Sequence, residues 1–199
     1  MHTNSSNKNN YHILLVDDER VVLAILGLGL TKAGYNVTTA ESVDEAEALL
    51  MENDQPDLAI IDISMPDRSG LELAEILGIE QIPFLLLTAI SDQGIVDKVT
   101  RLGALSYLVK PVTVQQLIPA IDAALARAEE LGSLKKAEVQ LKTALNGARE
   151  LNIAIGITIV KHNISRKAAF ELLRTTARQQ SRKLADIAAE LIIENEPLV

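Results

Sequence analysis

The sequence contains no cysteine and no tryptophan, and aromatic residues make up 3% of its 199 positions. Without cysteine, the chain has neither a disulfide framework nor a zinc–thiolate site. No apolar run approaches the length of a membrane span, and residues 1–10 are polar. We therefore expect a cytoplasmic protein, with no membrane partner, whose first ten residues form a disordered tail.

Basic residues are scarce and unevenly distributed. The formal net charge is −8, and residues 1–127 carry 8 basic against 18 acidic side chains. Residues 161–183, by contrast, carry 7 basic side chains and a single acid, Glu171. A basic stretch in an otherwise acidic chain predicts an anionic partner for the C-terminal part alone. The length suits one full domain and a smaller second module.

Short apolar runs alternate with helical patterns over the first 127 residues. The runs cover residues 13–16, 36–39, 58–61, 84–87 and 106–109. The helical patterns cover residues 20–33, 42–51, 71–77 and 94–102, and a fifth begins at Thr113 and contains Pro119, where we expect a local kink. Nearly continuous apolar strands between helices predict an α/β fold with a doubly wound, five-stranded parallel sheet covered on both faces.

Polar residues end four of these runs. Asp17 and Asp18 follow the first run, Asp62 the third, Thr88 the fourth and Lys110 the fifth. Each has an ordinary structural explanation when taken alone, such as acids at a helix N-terminus. Because the carboxyl ends of parallel strands meet at one edge of the sheet, we expect them to converge. Carboxylates, a hydroxyl and an ammonium together suit a hard cation and a phosphoryl group.

The segment from Asp62 to Gly70 has the pattern Asp-x-x-Met-Pro-x-x-x-Gly. Together with the acidic pair, Thr88-Ala89 and Lys110-Pro111, it resembles the receiver domain of bacterial response regulators, the CheY-like family. The resemblance covers residues 11–127 and implies a flavodoxin-like fold. It also implies that Asp62 accepts a phosphoryl group from a sensor histidine kinase. The chain would then be no enzyme itself, apart from weak autodephosphorylation.

The resemblance assigns roles to the other site residues. The implied Mg²⁺ ligands are oxygens of Asp17, Asp18, Asp62 and the backbone carbonyl of Ser64. Lys110 would neutralise the phosphoryl oxygens, and Thr88 would donate a hydrogen bond to them. Tyr107 matches the aromatic residue that turns inward when the threonine moves. The bond between Lys110 and Pro111 is implied to be cis.

Apolar residues at three- and four-residue spacing continue beyond the receiver pattern. They are Ile121, Ala124, Ala128, Leu131, Leu134, Leu141, Leu145 and Ala148, with Glu138 in a polar gap. The spacing predicts a coiled-coil linker over residues 128–148 with a stammer near Gly132-Ser133. A marginal seam of this kind favours a homodimer that forms through residues 121–148 on phosphorylation. The alternative is a single amphipathic helix that folds back on its own chain.

Three helices are expected in the last fifty residues. The first continues through residues 153–159 and stops near His162, Ser165 caps the second, and Ser181 caps the third. The predicted inward residues are Ala168, Ala169, Leu172, Leu173, Ala177, Leu184, Ile187, Ala188 and Leu191.

Residues 149–195 resemble the ANTAR family, the RNA-binding antitermination domain of some response regulators. The matching residues are 154–156, 165–177 and 182–188, although Thr175-Thr176 stand where an aromatic is frequent. The resemblance implies a three-helix domain that binds hairpins in nascent transcripts. The predicted RNA-binding residues are Lys161, Arg166, Lys167, Arg174, Arg178, Arg182 and Lys183, with His162 as a stacking surface.

A second function stays open: a DNA-binding transcriptional regulator with a helix-turn-helix output. Such modules often have a tight glycine turn. The turn at residues 179–181 has no glycine, and the third helix carries Asp186 and Glu190, which favours RNA. A third, weaker reading is a protein-interaction output without nucleic acid.

Overall fold

A computed structural model describes residues 8–52, 55–89 and 101–195. Five parallel strands form one sheet in the order β2-β1-β3-β4-β5. The strands are β1 His12–Val16, β2 Asn36–Ala40, β3 Leu58–Asp62, β4 Phe84–Thr88 and β5 Ser106–Val109. The doubly wound parallel sheet predicted from the sequence is confirmed. The helix predicted over residues 94–102 lies mostly outside the described residues.

Three helices follow β1, β2 and β3: α1 Arg20–Lys32, α2 Val43–Glu52 and α3 Gly70–Glu80. The long helix α4, Val114–His162, follows β5. Since neighbouring residues of a strand point to opposite faces, the sheet has two cores. Leu14, Ile61 and Leu86 pack under α2 and α3. On the other face, Leu15, Ile60 and their neighbours pack against α1 and the first three turns of α4.

The last three residues of the expected ten-residue tail belong to the folded structure. Lys8–Asn10 form a short 3₁₀ helix. The Lys8 ammonium lies 3.0 Å from the Tyr35 hydroxyl and 2.9 Å from Asp122 Oδ2. The tail prediction is therefore wrong for residues 8–10, because these contacts attach them to α4, and residues 1–7 lie outside the described part of the chain.

Two predicted helix ends also differ. The helix predicted over residues 42–51 begins at Val43, because the Ser42 hydroxyl caps it by accepting from the Glu45 amide (3.1 Å). Helix α3 runs past Gly78 to Glu80 and is followed by Gln81 at φ 61°. A complete capping box between Ser69 and Glu72 begins this helix instead.

Helix α4 has 49 residues and continues through both Pro119 and Gly132-Ser133. The chain divides into two compact units, Met1–Leu131 and Gly132–Val199, and the boundary between them lies within this helix. The apolar residues of the predicted seam are exposed: Leu131, Leu134, Leu141 and Leu145. The helix is therefore continuous across the predicted stammer. The coiled coil itself stays a prediction, as do the domain bounds 11–127, 128–148 and 149–195.

The C-terminal unit is formed by the end of α4 with α5, Arg166–Gln179, and α6, Leu184–Asn195. Its core contains Ala154, Ile155, Ala169, Leu173, Ala177, Ile187 and Ala188. The three-helix prediction is confirmed, and so is the Ser165 cap, whose hydroxyl accepts from the Ala168 amide (3.3 Å). No helix in the described ranges is long and apolar enough to cross a membrane.

Two details of that unit were predicted wrongly. Ser181 does not cap α6: it adopts φ 52°, its amide donates to the Arg178 carbonyl (3.2 Å), and it ends α5. Ala168 and Leu172 are exposed, because the buried stripe of α5 is narrow and centred on Leu173.

Candidate functional site

Three carboxylates converge at the carboxyl edge of the sheet. Asp17 follows β1, and Asp62 ends the adjacent strand β3. Both are buried, with exposed fractions of 0% and 2%. Together with Asp18, they place one carboxylate oxygen each within 4.8 Å of one another. The convergence predicted from the strand ends is therefore present in the structure.

Lys110 joins this cluster from the end of β5. Its ammonium lies 2.7 Å from Asp62 Oδ2 and 2.7 Å from Asp17 Oδ2. Burial by itself lowers the pKa of this ammonium, but the hydrogen bonds and charges of Asp17 and Asp62 outweigh it and raise the pKa above its usual value. The lysine is therefore a fixed positive charge at neutral pH. The Lys110–Pro111 peptide bond is cis, as predicted.

The donor set fits a hard divalent cation. Asp17 Oδ2 is buried, and within the described residues its partner is the Lys110 ammonium at 2.7 Å, so this oxygen keeps a lone pair for a cation. Mg²⁺ prefers carboxylate oxygens and waters in octahedral geometry, and an acidic pocket of this kind is typical of receiver domains that bind it. The Ser64 amide donates to Asp62 Oδ1 (3.1 Å). The Ser64 carbonyl as a metal ligand stays a prediction.

Thr88 and Tyr107 lie on neighbouring strands. Thr88 ends β4, is 2% exposed, and its carbonyl accepts from the Lys110 amide (2.7 Å). Tyr107, on β5, lies opposite Leu86 of β4 in the sheet, and its side chain is 40% exposed. The structure thus places the threonine in the buried site and the tyrosine at the surface. Their coupled switching stays a prediction.

Gly70 has a positioning role that the sequence reasoning did not assign. A β-carbon at this position would lie 1.9 Å from the Asp62 carbonyl oxygen. The Gly70 amide donates to the Ile63 carbonyl (3.2 Å). Only glycine lets α3 begin this close to the end of β3. The signal was available, since Gly70 closes the motif that begins at Asp62.

Arg68 anchors the same loop. Its guanidinium contacts Asp44 at 2.7 Å, Glu47 at 2.8 Å and Glu72 at 3.2 Å. The hydrogen bonds to Glu47, Asp44 and Glu72 raise the pKa of Arg68 well above its usual value. The loop that follows Asp62 is thereby tied to both α2 and α3. The sequence offered no signal for this, because two of the three partners lie on α2.

The predicted RNA-binding residues do not form one patch. All are exposed. Lys167, Arg174 and Arg178 are seven and four residues apart and share the outer face of α5. Arg166 donates to Asn152 (2.8 Å), and Arg182 pairs with Glu190 (2.5 Å) near Lys183, in the turn before α6. Lys161 and His162 line a separate cleft.

Comparisons with known proteins identify both parts. The family model of the response regulator receiver domain matches residues 13–122, and that of the ANTAR domain matches residues 139–192. The transcriptional regulatory protein PdtaR of Mycobacterium tuberculosis is 32% identical over 184 residues, covering 92% of this chain and 89% of that protein.

Solved receiver structures match the sheet domain. A CheY-like response regulator receiver domain protein from Methanospirillum hungatei is similar with a TM-score of 0.57 and 30% identity, covering 60% of this chain and 97% of that one. A receiver domain protein from Clostridium thermocellum gives 0.56 and 34%, covering 61% and 98%. The chain therefore belongs to the response regulators, with a receiver domain followed by an ANTAR domain.

Proposed function

We propose that phosphorylation of Asp62 by a sensor histidine kinase controls the binding of the ANTAR domain to hairpins in nascent transcripts, and so causes transcription antitermination in the cytoplasm. The observation that carries the proposal is the contact between Lys110 and two buried carboxylates, in a chain that also has an ANTAR domain. A receiver domain implies a kinase partner, and an ANTAR domain implies RNA binding.

The phosphoryl step uses the buried cluster. An Asp62 carboxylate oxygen attacks phosphorus, the new O–P bond forms as the bond from phosphorus to the histidine nitrogen breaks, and the imidazole leaves. Lys110 balances charge on the transferred oxygens, and Thr88 donates a hydrogen bond to them. A bound Mg²⁺ supplies further charge neutralisation. Beyond slow self-dephosphorylation, the chain catalyses no reaction of its own.

The output requires a link from Asp62 to the second unit. The phosphoryl group biases Thr88 and Tyr107 between two arrangements, which is a local charge event with a wider consequence. Ile121 and Ala124, which begin the predicted interface of residues 121–148, are buried against the sheet. We therefore propose that this bias promotes a homodimer through residues 128–148. The exposed leucines of α4 support it, since Leu134, Leu141 and Leu145 are each about 60% exposed. A dimer presents two ANTAR domains to paired hairpins and gains avidity.

The outer face of α5 supplies phosphate contacts. Within the described chain, Lys167 and Arg178 have no ion-pair partner, and Arg174 has a weak one in Glu171 at 3.4 Å. Such side chains contact the RNA backbone while unpaired loop bases give specificity. Binding should weaken with added salt, because phosphate contacts release counterions.

The test is a binding comparison between hairpin RNA and duplex DNA, using the full chain carrying a phosphoryl mimic such as beryllium trifluoride. Replacing Arg174 and Arg178 by alanine should weaken hairpin binding and reduce its salt dependence, while leaving Asp62 phosphorylation intact. Lys32→Ala with Arg101→Ala removes the same charge from exposed positions of the receiver domain and should leave binding unchanged. A preference for duplex DNA over every hairpin would overturn the antitermination proposal in favour of the helix-turn-helix alternative.

A further inference from the structure

A cleft of about 360 Å³ opens between the end of α4, α5 and α6. Its volume is in the range of small-ligand pockets, roughly 300–1,000 Å³. Leu172 and Ile187 contribute apolar wall, and Lys161 and His162 lie on the α4 side. The cleft lies within the unit that contains the ANTAR domain, and the phosphate-contact face of α5 does not account for it.

The α6 wall of the cleft supplies hydrogen-bond acceptors, whereas Lys161 on the α4 side supplies donors. Glu190 and Glu194 line it from α6, and Gln180 lines it from the end of α5. An ionised carboxylate accepts hydrogen bonds and cannot donate them. The ligand must therefore present donors to α6. RNA phosphate, which is itself an acceptor and negatively charged, is excluded from that wall.

An unpaired nucleobase meets these requirements. Its faces suit the apolar wall and the imidazole of His162, since bases extruded from RNA loops stack on such rings. Its edge can carry an amino group that donates to a carboxylate. The attached phosphate can contact the Lys161 ammonium on the opposite wall. The pairing of Glu190 with Arg182 lowers the repulsion that two carboxylates would exert on RNA.

We propose that this cleft holds one unpaired base carrying an amino group (adenine, cytosine or guanine) from the loop of a bound hairpin, and that Glu190 and Glu194 exclude uracil. Uracil has a single donor on its pairing edge, N3–H, and a carbonyl oxygen on each side of it would face the two carboxylates. The inference rests on the proposed function, because it names what the ANTAR domain selects in its RNA.

The residues of α5 that we expect to select the RNA base and those that we expect to contact the RNA backbone lie on different faces of the helix. Leu172, Leu173, Thr176 and Gln180 line the cleft, whereas Lys167, Arg174 and Arg178 lie on the outer face. Changes in the cleft should therefore alter which loops bind, and changes on the outer face should alter how tightly all loops bind.

The experiment uses the full chain with beryllium trifluoride and a pool of stem-loops that share one stem and have a randomised loop. Bound RNA is sequenced, and the best loop is then compared with versions carrying uracil at each position. The test variant is Glu190→Gln with Glu194→Gln. The matched control is Glu171→Gln with Glu150→Gln, which removes equal charge from the same unit outside the cleft. Glu171, like Glu190, pairs with an arginine.

We expect the parent to disfavour uracil at one loop position by on the order of tenfold, the size expected of one good polar contact to a base. The cleft variant should lose this preference, and the control should keep it. Lys161→Ala should weaken all loops alike. If the parent binds hairpins but the cleft variant retains the preference, or if no position disfavours uracil, the cleft proposal is overturned while the proposed function stands. If the parent binds no hairpin, both are overturned.

Discussion

Lys110 Nζ lies 2.7 Å from Asp62 Oδ2 and equally far from Asp17 Oδ2, so one ammonium bridges the proposed phosphoacceptor and a proposed metal ligand. A cation that binds these carboxylates must share or displace that contact. The bridge therefore links Mg²⁺ binding, phosphorylation and the stability of the sheet edge.

Asp62→Asn should abolish labelling by acetyl phosphate or by the kinase, because the amide cannot act as the nucleophile. Labelling of the parent should also disappear when Mg²⁺ is chelated. Asp67→Asn is the matched control, since it changes an acid of the same loop at a left-handed position that asparagine tolerates. Undiminished labelling of Asp62→Asn would contradict the assignment.

Lys110→Met should make the protein depend on Mg²⁺ for stability. The change leaves Asp17 and Asp62 without their cation, so the free energy of unfolding should fall by about 1–3 kcal/mol in chelator. Mg²⁺ should stabilise the variant more than the parent, since the ammonium no longer competes for the carboxylates. Thermal unfolding with and without Mg²⁺ measures both effects. The control is Lys32→Met, which changes an exposed lysine at the end of α1. If Mg²⁺ stabilised Lys110→Met and the parent equally, Lys110 and Mg²⁺ would not compete for the same carboxylates.

Gly70→Ala should destabilise the receiver domain by about 1–3 kcal/mol or more, because its methyl group meets the Asp62 carbonyl at 1.9 Å. Gly132→Ala is the opposite case. Nothing lies within 4 Å of its β-carbon, and alanine in an exposed helix is favoured over glycine by about 1 kcal/mol. Denaturant unfolding of both variants should give shifts of opposite sign. Equal shifts would show that the close approach at Gly70 is relieved at no cost.

Leu141→Ser should prevent the dimer that we expect from the phosphorylated chain. Leu141 lies on the predicted seam and is 61% exposed. Val139 is 57% exposed on the same helix but off the seam, so Val139→Ser should leave dimerisation intact. Sedimentation with and without the phosphoryl mimic, over a wide concentration range, gives the mass distribution. If both variants dimerise like the parent, residues 128–148 are not the interface.

Tyr35 should titrate later than an ordinary tyrosine. Burial, followed by its hydrogen bond to Asp122, raises the pKa of Tyr35 to about 12. Because this value exceeds the unfolded value of about 10, the contribution to stability is complete below pH ~10 and is lost as the pH rises through about 12. The chain has no tryptophan, so ultraviolet absorbance follows the tyrosines.

Tyr35→Phe should remove the latest component of that titration, and Tyr11→Phe should leave it in place. If the component that Tyr35→Phe loses titrates near pH 10 and not near 12, the contacts with Lys8 and Asp122 do not persist in solution.

The sequence predicted the receiver site well because each part of it is a local signal. A strand that is buried on both faces is a short apolar run, and the residue that ends the run lies at the ligand-binding edge. Asp17, Asp62, Thr88 and Lys110 were located in this way, since parallel strands bring their carboxyl ends together whatever the loops between them do.

The C-terminal unit shows the limit of such signals. Ser181 is a residue type that often caps helices. In the structure it lies in the left-handed turn that ends α5, and α6 begins later, at Leu184. Leu172 fits the helical period, yet only the packing of α5 on α4 and α6 decides that Leu173 is buried and Leu172 is not. Periodicity identifies an apolar face but not its width.

The sequence alone thus determined the sheet, the converging acids and lysine, and the basic character of the second unit, all of which depend on residue type and spacing along the chain. Only the tertiary structure decided which charges meet. It brought Arg68 into contact with α2 and α3, and it placed Gly70 beside Asp62. It also distributed the basic residues among the outer face of α5, the turn before α6 and a cleft that Glu190 and Glu194 line. These contacts join residues from different elements, and side-chain partners of that kind depend on packing geometry that no local pattern encodes.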